Sequence, residues 1–421
     1  MNLFIYLFFM VAFVNFLKVK ISIFDYLDEF LLFFLLCWAL LSTLMDESHG
    51  KKTIKNVDLG LITLTLILAV WSLIPNMFAV LRSTVFLQLY TLMVLLKFVI
   101  IYLSSRTVFM KRNYAKDFRI IKGICYSYSL ICLLVYVLNM VHPFMLSFDK
   151  RLGIPSLSYG FPHPAQFATT IIVFTVVVSY FDYLYKKRLP ITYLLVNFLL
   201  IVTAGRTTSI GFYLFALIVL ILLVYYKRIP FYMYIFTGIP FYIIAKDRTM
   251  NQFFIDNDEA RGVLLRTSIK IATDYFPFGS GLGLFGSHAS RLNYSPLYQK
   301  YNISEVWGLS KTNPAFITDS YWAMTIAELG FMGVILLLAL IVMLFLNIIN
   351  YSKGTRVDKF FILLPMFYAL LTSPIDSVFV SNGIVLLLFA VIFMLNLNLH
   401  YYKKNEFKGE QNEKIYKKAN Y

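Results

Sequence analysis

Charge is scarce in this chain. Asp, Glu, Lys and Arg make up 14% of its 421 residues, against about 25% in ordinary soluble proteins. A soluble domain must cover itself with polar surface however large its core. A soluble enzyme and a disordered chain are therefore excluded. Cysteine is scarce too. Cys37, Cys125 and Cys132 all lie inside apolar runs and read as small hydrophobes, which excludes a secreted disulfide scaffold. The sequence holds no H-E-x-x-H, Walker loop or G-x-S-x-G pattern and no evident metal cluster. It also lacks the internal repeat on which paired-half transporters are built. What remains is hydrophobicity: 59% apolar residues and a mean hydropathy of +0.72. The net charge of +16 then becomes a question of sides of a membrane rather than of nucleic acid.

Apolar runs of spanning length recur from end to end. Twelve spans are expected, at about 2–17, 24–45, 59–75, 83–104, 120–140, 164–182, 191–205, 208–226, 231–245, 321–347, 360–374 and 380–399. The fold class is therefore an all-α polytopic membrane protein, with about twelve transmembrane helices and one large external loop carrying short helices. The first run has neither a basic leader nor a small-residue cleavage site and reads as a retained span. The C-terminal tail carries six lysines and is expected inside, which places the N-terminus inside as well. The inner segments then hold 22 Lys or Arg and the outer ones 14, eight of them in one loop long enough to escape the rule. Lys18 and Lys20 are the exceptions, placed outside beside Asp25, Asp28 and Glu29. The organisation is a transmembrane bundle over 1–245 with an external segment at 141–163, a large extracytoplasmic loop over 246–320, further spans over 321–400 and a basic cytoplasmic tail over 401–421. Long loops in compact proteins are usually functional, so the machinery is expected on the outer face.

Several outer residues carry chemistry. Arg206 sits between two apolar runs with almost no loop to hold it. It either snorkels to headgroups or holds an anionic one, helped by Thr207, Thr208 and Ser209. Arg261 falls in the first turn of a helix that Asn257 or Asp258 would cap, where free N–H groups favour an anion. Arg266 is five residues on, about 140° around that helix, and cannot face the same ligand. Arg151 lies in the other long external segment. Asp319 opens a span and either caps it, binds sugar hydroxyls or takes a proton. Glu328 is nine residues later, on the opposite face, so the two are no glycosidase pair; it is expected to make an interhelical hydrogen bond. His163, in FPHP, is a base or a hydrogen-bond donor. Lys97 and Lys122 are expected to snorkel. Gly281, Gly283 and Gly286 form a G-x-G-x-x-G without the strand and βαβ unit that a dinucleotide site needs, and read as a turn. Tyr294, Tyr298, Trp307 and Trp322 are candidates for stacking on sugar faces, though interfacial belts use the same residues.

Four segments then resemble those of the bacterial O-antigen and capsular polysaccharide repeat-unit polymerases, which share an architecture with O-antigen ligases. They are R-x(9)-F-x-H-P from Arg151 to Pro164, AGRTTS around Arg206, ARGVLLRTSIKIATDYFPFGSGLGLFGSHAS, and DSYWAMTIAELGFMG from Asp319. The resemblance covers about 151–333. It implies a glycosyltransferase of the bacterial cytoplasmic membrane, working on its outer face without metal or cofactor. Donor and acceptor would be oligosaccharides linked to polyprenyl (undecaprenyl) pyrophosphate, in the biosynthesis of a capsular or other exopolysaccharide of the cell envelope. A flippase and a chain-length regulator are the protein partners it implies. On this reading Arg206 and Arg261, with Arg151 and Arg266 as further candidates, bind pyrophosphate, and Asp319 or His163 activates the acceptor. The ligase branch usually has His-Asn where this chain has Asp319-Ser320, which favours the polymerase. The rival readings are the ligase itself and a lipid-linked oligosaccharide flippase or other transporter.

Overall fold

The computed structural model describes residues 3–18, 24, 26–48, 56–78, 81, 83–114, 117–145, 147–151, 154–226 and 259–419. The first part of the chain forms α1 (Leu3–Lys18), α2 (Leu27–Ser48), α3 (Asn56–Phe78), α4 (Val85–Phe109) and α5 (Phe118–Val141). A hairpin follows, β1 (Ser147–Arg151) and β2 (Ile154–Leu157), antiparallel with Ser147 opposite Leu157. Then come α6 (Pro164–Lys186), α7 (Ile191–Thr203) and α8 (Thr207–Tyr225). The long loop carries α9 (Ala260–Asp274) and two short helices, α10 (His288–Leu292) and α11 (Leu297–Lys300). Three helices close the chain: α12 (Tyr321–Tyr351), α13 (Arg356–Thr372) and α14 (Asn382–Ala419).

Among the described residues, eight helices are long and apolar enough to cross a membrane, and α1 and α7 are shorter apolar helices at expected places. The expected span 231–245 lies outside the described residues, as do Lys20, Asp25 and the capping candidates Asn257 and Asp258. The residue that precedes α9 as its N-cap is Glu259. The α-helical class holds, and the expected external segment 141–163 contains the small hairpin. The last helix, α14, runs on through the expected tail to Ala419.

The layout follows burial. α6 and α14 are central, with 89% and 83% of their spanning windows inside the protein, whereas α5 has 17% and turns its apolar residues outward. α14 packs on α1, α4, α6 and α13, while α2 lies on α4, and α3 and α9 both lie on α12. Local signals set the ends. Thr84 caps α4, Thr355 and Asp358 form a reciprocal capping box on α13, and Pro164 occupies the first turn of α6 behind its N-cap His163.

Polar side chains staple the bundle at the end away from the long loop. The Arg106 guanidinium pairs with Asp58 and donates to Asn347 Oδ1 at 2.9 Å, and Tyr351 OH donates to Asp58 at 2.7 Å. Lys122 pairs with Asp182 at 2.7 Å. Lys97 departs from expectation. It does not snorkel but is 1% exposed in the middle of α4, paired with Asp28 of α2. The reason is geometric: a residue halfway along a 25-residue helix is about 18 Å from either end, beyond the reach of a lysine stem.

Two measurements check this arrangement. With Cys37 replaced, a cysteine at the exposed Lys311 should react with an impermeant thiol reagent in intact cells. One at the exposed Arg356 should react only after permeabilisation. The reverse pattern overturns the assignment of sides. Arg106→Leu leaves the Asp58 carboxylate buried without its cation, at a cost of about 3–5 kcal/mol. The thermal midpoint in detergent should fall, and Arg106→Leu combined with Asp58→Leu should recover part of the loss.

Candidate functional site

The site is built on a glycine turn threaded against α12. Gly279, Gly281, Gly283 and Gly286 all have positive φ. The turn backbone runs along the first part of α12, with Ser280 N donating to Ala327 O at 2.8 Å and Gly281 N to Glu328 O at 3.1 Å. α12 itself is kinked at Gly330 (φ 67°). A Cβ there would sit 2.5 Å from Pro277 O, and one at Gly279 would sit 2.4 Å from Gly330 N. Two backbones therefore meet where only glycine fits. Glu328, buried, holds the rest: its Oε1 accepts from Leu284 N at 2.9 Å, Phe285 N at 3.0 Å and Ser287 Oγ at 2.7 Å. The expected interhelical bond of Glu328 is instead a bond to this loop.

The turn delivers Ser287, His288 and Arg291 to a cavity of about 880 Å³, whose walls also include Asp319, Asp376, Pro162, Gln166 and Ser377. Arg261 donates from Nη2 to Asp319 Oδ2 at 2.8 Å, across 58 residues of sequence. Asp319 does not cap α12. That role belongs to Ser320, whose Oγ accepts from Ala323 N at 3.4 Å, which leaves the Asp319 carboxylate facing the cavity. Burial pushes that carboxyl above the ordinary Asp range, and Arg261, Arg206 and Arg291 draw it back only in part. Asp376, between α13 and α14, is exposed to the cavity space yet enclosed by protein. Burial raises it as well; Arg206 and Arg261 oppose this, and the Asp319 charge adds to it. Among the described residues no side chain donates to the Asp376 carboxylate.

Arg206 precedes α8 and donates from Nη2 to His163 Nδ1 at 3.3 Å. The same Nδ1 accepts from Ala165 N at 3.3 Å. An arginine only donates, so this nitrogen is the imidazole's acceptor and is already occupied. His163 thus caps α6 and orients Arg206, a correction to its reading as a base. Arg261, Arg206 and Arg291, from α9, the α7–α8 turn and α10, all act on Asp319. Arg291 lines the cavity, whereas Arg206, Arg261 and Arg266 are not among its lining residues; Arg261 reaches it through Asp319, and Arg266 is partly buried on α9. The backbone of Arg151 ends β1, and its side chain lies outside the described part.

The stacking candidates fare unevenly. Tyr298 is fully buried inside the loop, where its OH accepts from Gly286 N at 2.9 Å, so no sugar face reaches it. Tyr294 packs on that ring at 5.2 Å between centroids and donates to Leu309 O at 3.0 Å. Trp322 donates to Ser373 Oγ at 3.0 Å and ties α12 to the end of α13. Trp307 is 73% exposed and away from the cavity wall. Sequence reasoning passed over Arg291, His288 and Asp376. Arg291 and His288 share the segment SHASRL, a Ser-capped helix start right after the glycine turn, and that adjacency was a usable signal. Asp376, in TSPIDSVFV, had none beyond being an acid between two spans.

No protein-family model and no curated protein matches this chain. The site's chemistry therefore rests on its own residues.

Glu328→Ala would strand two buried N–H groups and a hydroxyl, each costing about 1–3 kcal/mol. Trypsin should then cut the loop at Arg291 and Lys300 markedly faster in proteoliposomes, with Glu328→Gln intermediate. Unchanged cleavage in both variants would show that Glu328 does not hold the turn.

Proposed function

We propose that this chain is a membrane glycosyltransferase that joins polyprenyl-pyrophosphate-linked oligosaccharide repeat units on the outer face of a bacterial cytoplasmic membrane. One observation carries the reading: three arginines from separate segments act on Asp319, two of them also on Asp376, and both carboxylates and Arg291 face a cavity among apolar helices. A pyrophosphate leaving group needs no acid to protonate it. It needs its departing negative charge stabilised, and preorganised arginine forks do this well away from bulk water. Nearby carboxylates supply the complementary need, a proton acceptor for a sugar hydroxyl.

The step balances simply. The acceptor oxygen bonds to the donor's anomeric carbon as the bond from that carbon to the pyrophosphate oxygen breaks. The hydroxyl proton passes to a carboxylate, and the lipid pyrophosphate leaves with the bonding electrons. Arg261 and Arg206 hold that anion, with Arg291 in the cavity wall beside it. Asp319 is already paired with Arg261, so an arriving pyrophosphate competes for that fork and frees the carboxylate. The repeat-unit polymerase is favoured over the ligase because Asp319-Ser320 stands where the ligase branch usually has His-Asn. The long loop that supplies Arg261 and Arg291 weighs against a transporter.

Polymer length on a gel, beside a membrane blot of the protein, is the test. Arg206→Lys and Arg261→Lys keep charge but lose the planar fork. Each should cost about 2–4 kcal/mol in the transition state, or roughly 30- to 1000-fold in rate. Products should shorten to one or a few repeat units, while Arg266→Lys stays near wild type. A null should leave single repeat units on the final acceptor; long chains held on the carrier lipid would instead mean a ligase. Wild-type length from both Lys variants removes the pyrophosphate clamp.

The acid limb of the transfer rate gives a second check. A base must be deprotonated to act, so activity falls as pH falls through its pKa. Because burial raises both Asp319 and Asp376, that limb should lie above the ordinary Asp value of about 4. Arg261→Met removes a charge that lowers Asp319 and should move whatever activity remains to higher pH. A limb at or below the ordinary value would rule out either carboxylate as the base.

A further inference from the structure

The cavity has a second charged wall that the transfer step leaves unused. Asp28 and Glu29 at the start of α2, Lys97 of α4 and Asn382 at the start of α14 line it, with Gln166 of α6 and Tyr26 beside them. Lys97 and Asp28 are committed. They pair with each other, Lys97 also donates to Val380 O at 3.1 Å, and the Asn382 amide lies between Asp28 and Lys18.

Glu29 is different. Lys97 stands 3.7 Å from its Oε1, and the Tyr90 hydroxyl approaches that oxygen only to 3.5 Å. Its Oε2 is buried with no hydrogen-bond partner, and so is Gln166 Oε1. Unanswered acceptors in an enclosed wall are costly, and what answers them is a donor. Asp28 is answered by Lys97, so the acceptor oxygens left open here are those of Glu29 and Gln166. Open acceptors of this kind suit a ligand rich in hydroxyl donors. Tyr26, 69% exposed, offers a ring to an apolar sugar face.

We infer that this wall is a saccharide subsite for the second, acceptor oligosaccharide, with Glu29 and Gln166 accepting its hydroxyls. The inference rests on the proposed function, since it takes the substrates to be lipid-linked oligosaccharides. It adds that the groups of one cavity divide the work, the arginines around Asp319 taking the anionic leaving group and Glu29 and Gln166 taking sugar hydroxyls.

Cells lacking the protein should accumulate lipid-linked oligosaccharide, and mild acid releases from it a free oligosaccharide with neither lipid nor phosphate. That sugar is the probe, titrated calorimetrically against the full-length protein in nanodiscs. Wild type should bind it. Glu29→Gln, which keeps the shape, and Tyr26→Ala, at an exposed position, should each weaken binding about tenfold, the scale of one hydrogen bond to a charged group. Arg206→Lys and Arg261→Lys should bind the free sugar as wild type does while losing the lipid-linked form. No binding by wild type, or wild-type affinity in both Glu29→Gln and Tyr26→Ala, overturns the subsite. So does equal weakening in the arginine variants, which would place the sugar among the arginines. Absence of any accumulated lipid-linked oligosaccharide is a separate result; it overturns the proposed function, and the subsite falls with it.

Discussion

Charge removed from water has to be answered inside the protein, and nearly every distinctive feature of this chain follows from how that is done. An ion buried without a partner costs several kcal/mol. Asp58 is therefore met by Arg106, Asp28 by Lys97 and Asp182 by Lys122. Each pair joins two helices that apolar packing alone would leave free to slide. Glu328 is met differently, by two backbone N–H groups and a hydroxyl. That substitution of dipoles for a counter-ion is what binds a soluble-looking loop to a membrane helix.

The loop in turn determines where the charged side chains of the cavity stand. Because the backbones of Gly279 and Gly330 touch, α9 is laid against α12 and Arg261 reaches Asp319. Because Glu328 gathers residues 284–287, Arg291 is carried to the cavity. Arg206 arrives by another route, held by the imidazole that also caps α6. Three cations are thus collected from three directions around Asp319. The cluster has Asp319 and Asp376 together, and Asp319 is gripped by the Arg261 side chain.

The cavity encloses Arg291, Asp319 and Asp376 together with the under-satisfied acceptor oxygens of Glu29 and Gln166. Such a mixture constrains a ligand as much as it attracts one, because a wrongly turned ligand meets repulsion.

The sequence alone determined the class of fold. Hydropathy fixes the cost of leaving a segment in water or in lipid, and that cost is local, so ten of the expected spans coincide with helices to within several residues and an eleventh marks where α14 begins. It also marked Arg206 and Asp319, because a charge at the edge of an apolar run is anomalous wherever the run packs, and Arg261, because a cation in the first turn of a helix sits where an anion is favoured. Tertiary structure decided the rest. Lys97 looked like a snorkelling residue until α2 supplied Asp28, and His163 looked like a base until Arg206 took its Nδ1. Tyr298 looked like a sugar platform until the loop closed around its ring, and Asp376 looked like nothing until the cavity formed beside it. Those roles depend on which partner stands within about 3 Å. Partners tens to hundreds of residues apart are brought there by packing, which no local pattern encodes.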